Sequence, residues 1–272
     1  MSFSPSISQS EIFELSFRLP LGSYELQLQI EYQPVVALSP RGGEVSAYEC
    51  LLRFDANEHV LDVSELISEL EQAGTIPVLD LMVVDHVCRI AVANPSLRLW
   101  VNISQATMGS ISTMEKVGSR IISGGLANRV TLEITETVEG PKEQILNSLR
   151  HLYALGISVV IDDIDEQLSM ASLLIGNLVS GCKLSRRSMV RLSENPARVS
   201  EVLEQVRWCR SRGKSVVLEG VETERDLQIA ISLEVNYCQG FHFWPSLPLH
   251  EIPAQGTVVF IPPTILRRRA QS

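Results

Sequence analysis

Positive charge is scarce in this 272-residue chain: 23 lysines and arginines face 32 aspartates and glutamates, for a net charge of −9. That balance argues against a nonspecific nucleic-acid binder, which must neutralise phosphates with its own cations. A small phosphorylated ligand stays open, because a bound metal ion inverts the local field. Long apolar runs are also missing. None reaches the roughly 18 residues of a membrane-spanning helix, so no membrane insertion is expected. The start, Met1-Ser2-Phe3-Ser4-Pro5, lacks a basic segment leading into an apolar one, so no secretory leader is expected and a cytoplasmic location follows. Cysteines are few and unpaired in pattern. Cys50, Cys88, Cys182, Cys209 and Cys238 are odd in number, and none stands at C-x-x-C spacing. They read as small apolar residues of a reduced protein. The five histidines show no zinc-ligand spacing either.

What the chain does have is a 45% hydrophobic content arranged in alternating strand-like and helix-like segments. The spacing predicts strands at Leu26–Val36, Val45–Arg53, Leu97–Ile103, Arg129–Ile134, Ser158–Asp162, Gly181–Leu184, Ser215–Glu219 and Tyr237–Phe241. Helical periodicity covers Val63–Ala73, Val78–Ala93, Lys142–Ala154, Val199–Arg212 and Glu224–Leu233, with stop signals at Gly74, Asn94, Gly156, Gly213 and Asn236. Eight strands with helices between most of them predict an α/β fold, a TIM-type (β/α)8 barrel. No repeat, low-complexity tract or linker divides it. Residues 24–261 are expected to form the barrel. Residues 1–23 are expected to form an extension whose Phe13–Leu21 would pair with the first strand as a hairpin. Residues 262–272, with Arg267, Arg268 and Arg269, are expected to form a disordered basic tail.

The ends of these strands carry the chemistry. Val45–Tyr48 runs into Glu49, Leu99–Val101 into Asn102, Val130–Leu132 into Glu133, and Val159–Ile161 into Asp162 and Asp163. Cys182 precedes Lys183, Val216–Leu218 runs into Glu219, and Tyr237-Cys238 precedes Gln239. In a parallel barrel these ends converge on one face. Adjacent carboxylates at the end of a buried strand repel each other and call for a cation. Carboxylates and an amide oxygen are hard donors suited to Mg²⁺ or Mn²⁺. A lysine among them can orient a water or neutralise charge growing on a phosphoryl oxygen. Two such ions form a clamp for phosphodiester hydrolysis. Taken singly, each carboxylate reads equally as a helix cap, Lys183 as a surface lysine and Arg53 as an ion-pair partner.

These residues resemble the EAL-domain family of cyclic di-GMP phosphodiesterases, from Tyr32 to about Leu249. Tyr32-Gln33-Pro34-Val35-Val36 resembles Y-Q-P-I-V. Glu49-Cys50-Leu51-Leu52-Arg53 resembles E-A-L-L-R, with cysteine for alanine. Val101-Asn102-Ile103-Ser104 resembles V-N-L-S, and Leu132-Glu133-Ile134-Thr135-Glu136 resembles L-E-[IL]-T-E. Glu219-Gly220-Val221-Glu222-Thr223 matches E-G-V-E-T, and Gln239-Gly240-Phe241 resembles Q-G-Y. The resemblance implies a modified barrel with an antiparallel first strand. It makes Glu49, Asn102, Glu133 and Asp162 metal ligands, with Asp163 serving a second Mg²⁺ or Mn²⁺. Glu219 becomes a metal-site or base-type carboxylate, and Lys183 positions the attacking water. Gln33, Leu52, Arg53 and Gln239 hold the cyclic dinucleotide, while Glu136 and Glu222 brace the loop after Ser158–Asp162. The implied reaction is hydrolysis of cyclic di-GMP to linear pGpG. A second copy of the chain and a regulatory protein are the partners it leaves open.

Two departures stand out. Where the family has D-D-F-G-T-G-Y-S-S-L, this chain has Asp162-Asp163-Ile164-Asp165-Glu166-Gln167-Leu168-Ser169-Met170-Ala171, with both glycines replaced. Glycines adopt backbone angles that other residues resist, so a different loop path is expected. Where the family has K-x-D, this chain has Lys183-Leu184-Ser185. These changes keep open the alternative of a catalytically inactive cyclic di-GMP receptor or protein-binding adaptor.

Overall fold

Eight strands close into a barrel in the computed structural model, which describes residues 14–18, 25–55, 63–135, 141–164, 170–195 and 197–260. The barrel strands are β2 (Glu25–Ser39), β3 (Gly42–Asp55), β4 (Leu99–Ser104), β5 (Val130–Thr135), β6 (Ser158–Ile161), β7 (Gly181–Leu184), β8 (Ser215–Leu218) and β9 (Tyr237–Cys238). Strands β3 to β9 run parallel in sequence order. Strand β2 closes the ring antiparallel to both β3 and β9. Two strands lie outside the ring. Strand β1 (Glu14–Arg18) pairs antiparallel with Glu25–Gln29, and β10 (Val258–Phe260) pairs antiparallel with the start of β3. The modified barrel with a reversed first strand is therefore the fold.

Helices cover the outside: α1 (Val63–Gln72), α2 (Ile76–Ala93), α3 (Gln105–Met108), α4 (Ile111–Ser123), α5 (Lys142–Ala154), α6 (Arg186–Glu194), α7 (Arg198–Ser211) and α8 (Glu224–Ser232). Helix α2 shows why. Its buried Ile76, Leu79, Val83, Val84, Val87, Ile90 and Ala91 recur at helical spacing and form one apolar stripe. Burying each of the larger ones contributes about 1.5–3 kcal/mol. Asn94 stops it, its side-chain amide donating to the Ile90 carbonyl at 2.9 Å. Gly74, Gly156 and Gly213 take left-handed backbone after α1, α5 and α7. Asn236 does not act as a stop. Glu234 takes the left-handed turn after α8 (φ 56°), and the Asn236 side chain instead accepts from the Val216 N–H.

The barrel interior is layered. Ser158–Asp162 and Ser215–Glu219 were expected as strands, and regular pairing ends one residue earlier, at Ile161 and Leu218. Asp162 and Glu219 still donate their N–H to Ile134 and Leu184 at 3.0 Å, so their side chains leave from fixed points. Beneath them Val35, Ala47, Trp100 and Val217 form a separate buried cluster, with Tyr237 packed against it. The Trp100 and Tyr237 rings meet edge to face at 5.8 Å. This apolar plug lies two residues deeper than Gln33, Glu49, Asn102, Glu219 and Gln239, as the two-residue repeat of a strand requires. No helix among the described residues is long and apolar enough to cross a membrane.

Candidate active site

Lysine 183 is fully buried at the centre of the ring of strand ends. Its Nζ contacts Glu133 at 2.9 Å, Glu49 and Asp162 at 3.2 Å, and Glu219 at 2.5 Å. Alternation places it there: in the short strand β7, Lys183 faces inward while Cys182 and Leu184 face the helices. Burial alone would weaken the ammonium. The charges of Asp162, Glu133, Glu219 and Glu49 outweigh it and hold the group protonated far above the usual lysine value.

Four carboxylates around one ammonium leave a formal charge of −3 in a nearly dry space. The excess shows in their acidities. Burial, and then the charge of Glu49, pushes Glu133 well above the ordinary carboxylate range. Burial and Glu49 also raise Asp162 against the pull of Lys183. Burial, Asp162 and Glu49 push Glu219 up to about 8. Glu49 goes the other way. Its burial is overcome by Lys183 and by hydrogen bonds from Gln239 and Asn102, so it stays ionised.

Hydrogen bonds fix the ring. Asn102 Nδ2 donates to Glu49 Oε1 at 3.2 Å, and Gln239 Nε2 donates to Glu49 Oε2 at 2.5 Å and to Gln33 Oε1 at 3.4 Å. Gln33 lies opposite Glu49 in the sheet, and Asn102 opposite Glu133. Gly240 makes the turn beside Gln239 feasible. Its φ is +154°, and a Cβ there would stand 2.2 Å from the Val221 carbonyl oxygen. Cys50, in the alanine position of the motif, is buried, and its thiol is held well above its usual value by burial and by Glu49 and Glu133. All five cysteines are buried and none is in a disulfide.

Two overlapping sets of oxygen donors share Asp162. Glu49, Asn102, Glu133 and Asp162 surround the buried side. Asp162, Asp163 and Glu219 form the more open side, each offering an oxygen within 4.8 Å of the others. Asp163 reaches this position through a left-handed backbone (φ 44°), which aspartate tolerates better than most residues. Asn102 Oδ1 and Glu133 Oε1 are buried without a hydrogen-bond partner. Orphaned oxygens in an over-acidic pocket are what a divalent cation would satisfy, so the donor set fits Mg²⁺ or Mn²⁺.

The remaining expected residues divide. Arg53 lies at the rim. Its Nε meets Glu31 at 2.9 Å, its Nη2 donates to Ser246 Oγ at 2.9 Å and its Nη1 to the Leu52 carbonyl at 3.0 Å. The Leu52 side chain packs partly buried against the core. Glu222 pairs with Arg186 at 2.6 Å. Ser185 caps α6, its Oγ accepting from the Ser188 N–H at 3.2 Å. Glu136 and loop residues 165–169 lie outside the described residues.

One supporting residue escaped the motifs. Buried Asp80 on α2 accepts from Ser104 N–H at 2.9 Å, Ser104 Oγ at 2.7 Å and Thr107 Oγ1 at 2.5 Å. It thereby pins the end of β4, two residues beyond Asn102. A lone acid inside the apolar run Ile76-Pro77-Val78-Leu79-Asp80-Leu81 was the available signal.

The EAL domain family matches residues 23–246. Cyclic di-GMP phosphodiesterase NbdA of Pseudomonas aeruginosa is 29% identical over 234 residues, covering 82% of this chain and 29% of its own length. This chain spans 30%, 29% and 34% of the length of three curated relatives it matches. Among solved structures, the c-di-GMP complex of the PaMucR phosphodiesterase superposes with a TM-score of 0.72 at 25% identity, covering 82% of this chain and 93% of that one. The manganese/cyclic di-GMP complex of Klebsiella pneumoniae BlrP1 shares the fold, with a TM-score of 0.68 at 22% identity over 86% of this chain and 58% of that one. The chain belongs to the EAL domain family.

Proposed function

We propose that this chain hydrolyses one phosphodiester of cyclic di-GMP to give linear pGpG. The observation that carries this reading is the ring of Glu49, Asn102, Glu133, Asp162 and Glu219 around Lys183 at one barrel mouth. Mg²⁺ or Mn²⁺ held by the two donor sets, with Asp163 on the open side, would polarise the phosphoryl oxygen and activate a water. Lys183 orients that water and offsets charge growing on the phosphoryl group. Glu219, on the open side of the ring, would take the water's proton on a carboxylate oxygen once a bound cation has displaced its own proton. The water oxygen bonds to phosphorus, the P–O3′ bond breaks, and the 3′ oxygen departs as a hydroxyl. Arg53, held by Glu31 and Ser246, together with Gln33 and Gln239, lines the rim that would receive the dinucleotide, with Leu52 packed against the core behind it.

Purified protein incubated with cyclic di-GMP and Mn²⁺ should yield pGpG by chromatography, and Glu49→Ala should yield none. That substitution should leave the protein folded, with an unchanged circular dichroism spectrum. Full activity in Glu49→Ala would move the site elsewhere. A second reading, a silent receptor or adaptor, draws on Ser185. Its hydroxyl is committed to capping α6, so no carboxylate stands there beside Lys183. Tight calorimetric binding of cyclic di-GMP without product would select the receptor, and neither binding nor product would select the adaptor.

A further inference from the structure

Two of the five buried cysteines stand against each other between the barrel wall and a helix. Cys182 lies in β7, and alternation turns its side chain away from the barrel interior. Cys209 lies in the last turn of α7 (Arg198–Ser211). Lys214 holds the two elements together. Its N–H donates to the Cys209 carbonyl at 3.1 Å, and its Nζ donates at 2.6 Å to the carbonyl of Val179, just before β7. From Lys214 the chain enters β8, where Val216 pairs with Cys182. The Cys182 and Cys209 thiols hydrogen-bond to each other across this junction.

The pair differs from the other three thiols. Burial holds Cys50, Cys88 and Cys238 above the usual thiol value. Cys209 goes the other way. Its hydrogen bond with Cys182 outweighs its burial, the charges of Arg212 and Lys214 add to the pull, and the thiol is held below the usual value. The thiolate is the form that attacks an oxidant, and a neighbouring thiol resolves the product. Cys209 is also the more accessible partner, 7% exposed against 2% for Cys182.

We propose that Cys182 and Cys209 form a redox-modification site, closing to a disulfide with hydrogen peroxide as the oxidant and slowing the chemistry at Lys183. The Cys209 sulfur attacks one peroxide oxygen, the O–O bond breaks, and the other oxygen leaves as water with the thiol proton. Cys209 is then a sulfenic acid. The Cys182 sulfur bonds to the Cys209 sulfur, the S–O bond breaks, and the departing hydroxide takes the Cys182 proton to become water. Two thiols are oxidised to one disulfide, and one peroxide is reduced to two waters. A disulfide brings its sulfurs to about 2.05 Å, closer than hydrogen-bonded thiols stand. Closure therefore draws Cys182 toward α7, and Lys183 is the next residue of the same strand. Its ammonium faces four carboxylates, so moving it unsettles the ring. The effect on turnover rests on the function proposed above, and the bond itself does not.

The test treats the full chain with hydrogen peroxide in chelator, blocks remaining thiols by alkylation, and maps the digest by mass spectrometry. A joined peptide carrying Cys182 and Cys209 should appear, two hydrogens lighter than the separate reduced peptides, and dithiothreitol should release it. With Mn²⁺ restored, kcat on cyclic di-GMP should fall roughly tenfold on oxidation with KM unchanged, and dithiothreitol should recover it. Cys209→Ala should keep its basal turnover and lose the sensitivity to peroxide, and Cys209→Ser serves if the alanine variant does not fold. No joined peptide, a joined peptide with unchanged kcat, or an equal peroxide loss in the Cys209 variant would overturn the proposal. If cyclic di-GMP is not cut even before oxidation, the function proposed above fails, and the peptide map still decides whether the two thiols close.

Discussion

Replacing Lys183 with methionine keeps an unbranched apolar side chain of similar length and removes the only cation inside the ring among the described residues. Four carboxylates then face each other with no counter-charge. Removing one partner of a buried ion pair costs about 3–5 kcal/mol, a large share of the roughly 5–15 kcal/mol that holds a domain folded. For a chain of this size that amounts to a loss of about 6–20 °C in Tm. The cost depends on pH. Glu219 titrates near 8 in the folded protein against an ordinary 4.5, so the fold binds this proton more tightly than the unfolded chain does. Its stabilising contribution is complete below the ordinary value and is lost as pH rises through about 8. Without metal, the wild type should therefore weaken between pH 6 and 9, and Lys183→Met should weaken more steeply. Thermal unfolding in chelator at both pH values reads this directly, and Mn²⁺ should restore much of the loss. An unchanged Tm for Lys183→Met at pH 9 in chelator would refute the assignment of Lys183 as the neutralising charge.

Other outcomes follow from the same geometry. Cation binding should release protons, because the cation competes with those on Glu133, Asp162 and Glu219. Affinity should rise between pH 6 and 8, and calorimetry in buffers of different ionisation heat measures the release. Asp80→Ala strips the acceptor from three donors of Ser104 and Thr107, so urea unfolding should show a loss of about 3 kcal/mol, and turnover should fall because β4 no longer holds Asn102. Gly240→Ala places a Cβ against the Val221 carbonyl, so urea unfolding should show a loss of about 1–3 kcal/mol, with weaker dinucleotide binding through displaced Gln239.

The strand ends were legible because alternation and burial act locally. A β-branched run followed by Glu or Asp announces where a buried strand meets the barrel mouth, and the ring of Glu49, Asn102, Glu133 and Lys183 could be drawn from that. Boundaries were less clear. Tyr237–Phe241 was expected as a strand and shortens to Tyr237–Cys238, because Gly240 turns the chain back over Val221. Helix α4 was not anticipated from Ile111–Ser123, although buried Met114, Val117 and Ile121 form its stripe. Partners far apart in sequence were not legible at all. Arg53 meets Ser246 across 193 positions, and Asp80 reaches β4 only after α2 has docked.

The reversed strand β2 has a consequence for how signals reach this protein. In an all-parallel barrel the first strand enters at the floor, far from the chemistry. Here β2 begins opposite Asp55, at the mouth, and β1 folds back along that same rim, Glu14 lying opposite Gln29. At the other end of the described chain, β10 lies beside Gly43 and Glu44, at the floor. A tug or twist applied through β1 is thus delivered beside Arg53 and the cleft of Gln33 and Gln239, whereas one applied through β10 must cross the whole apolar plug to be felt there.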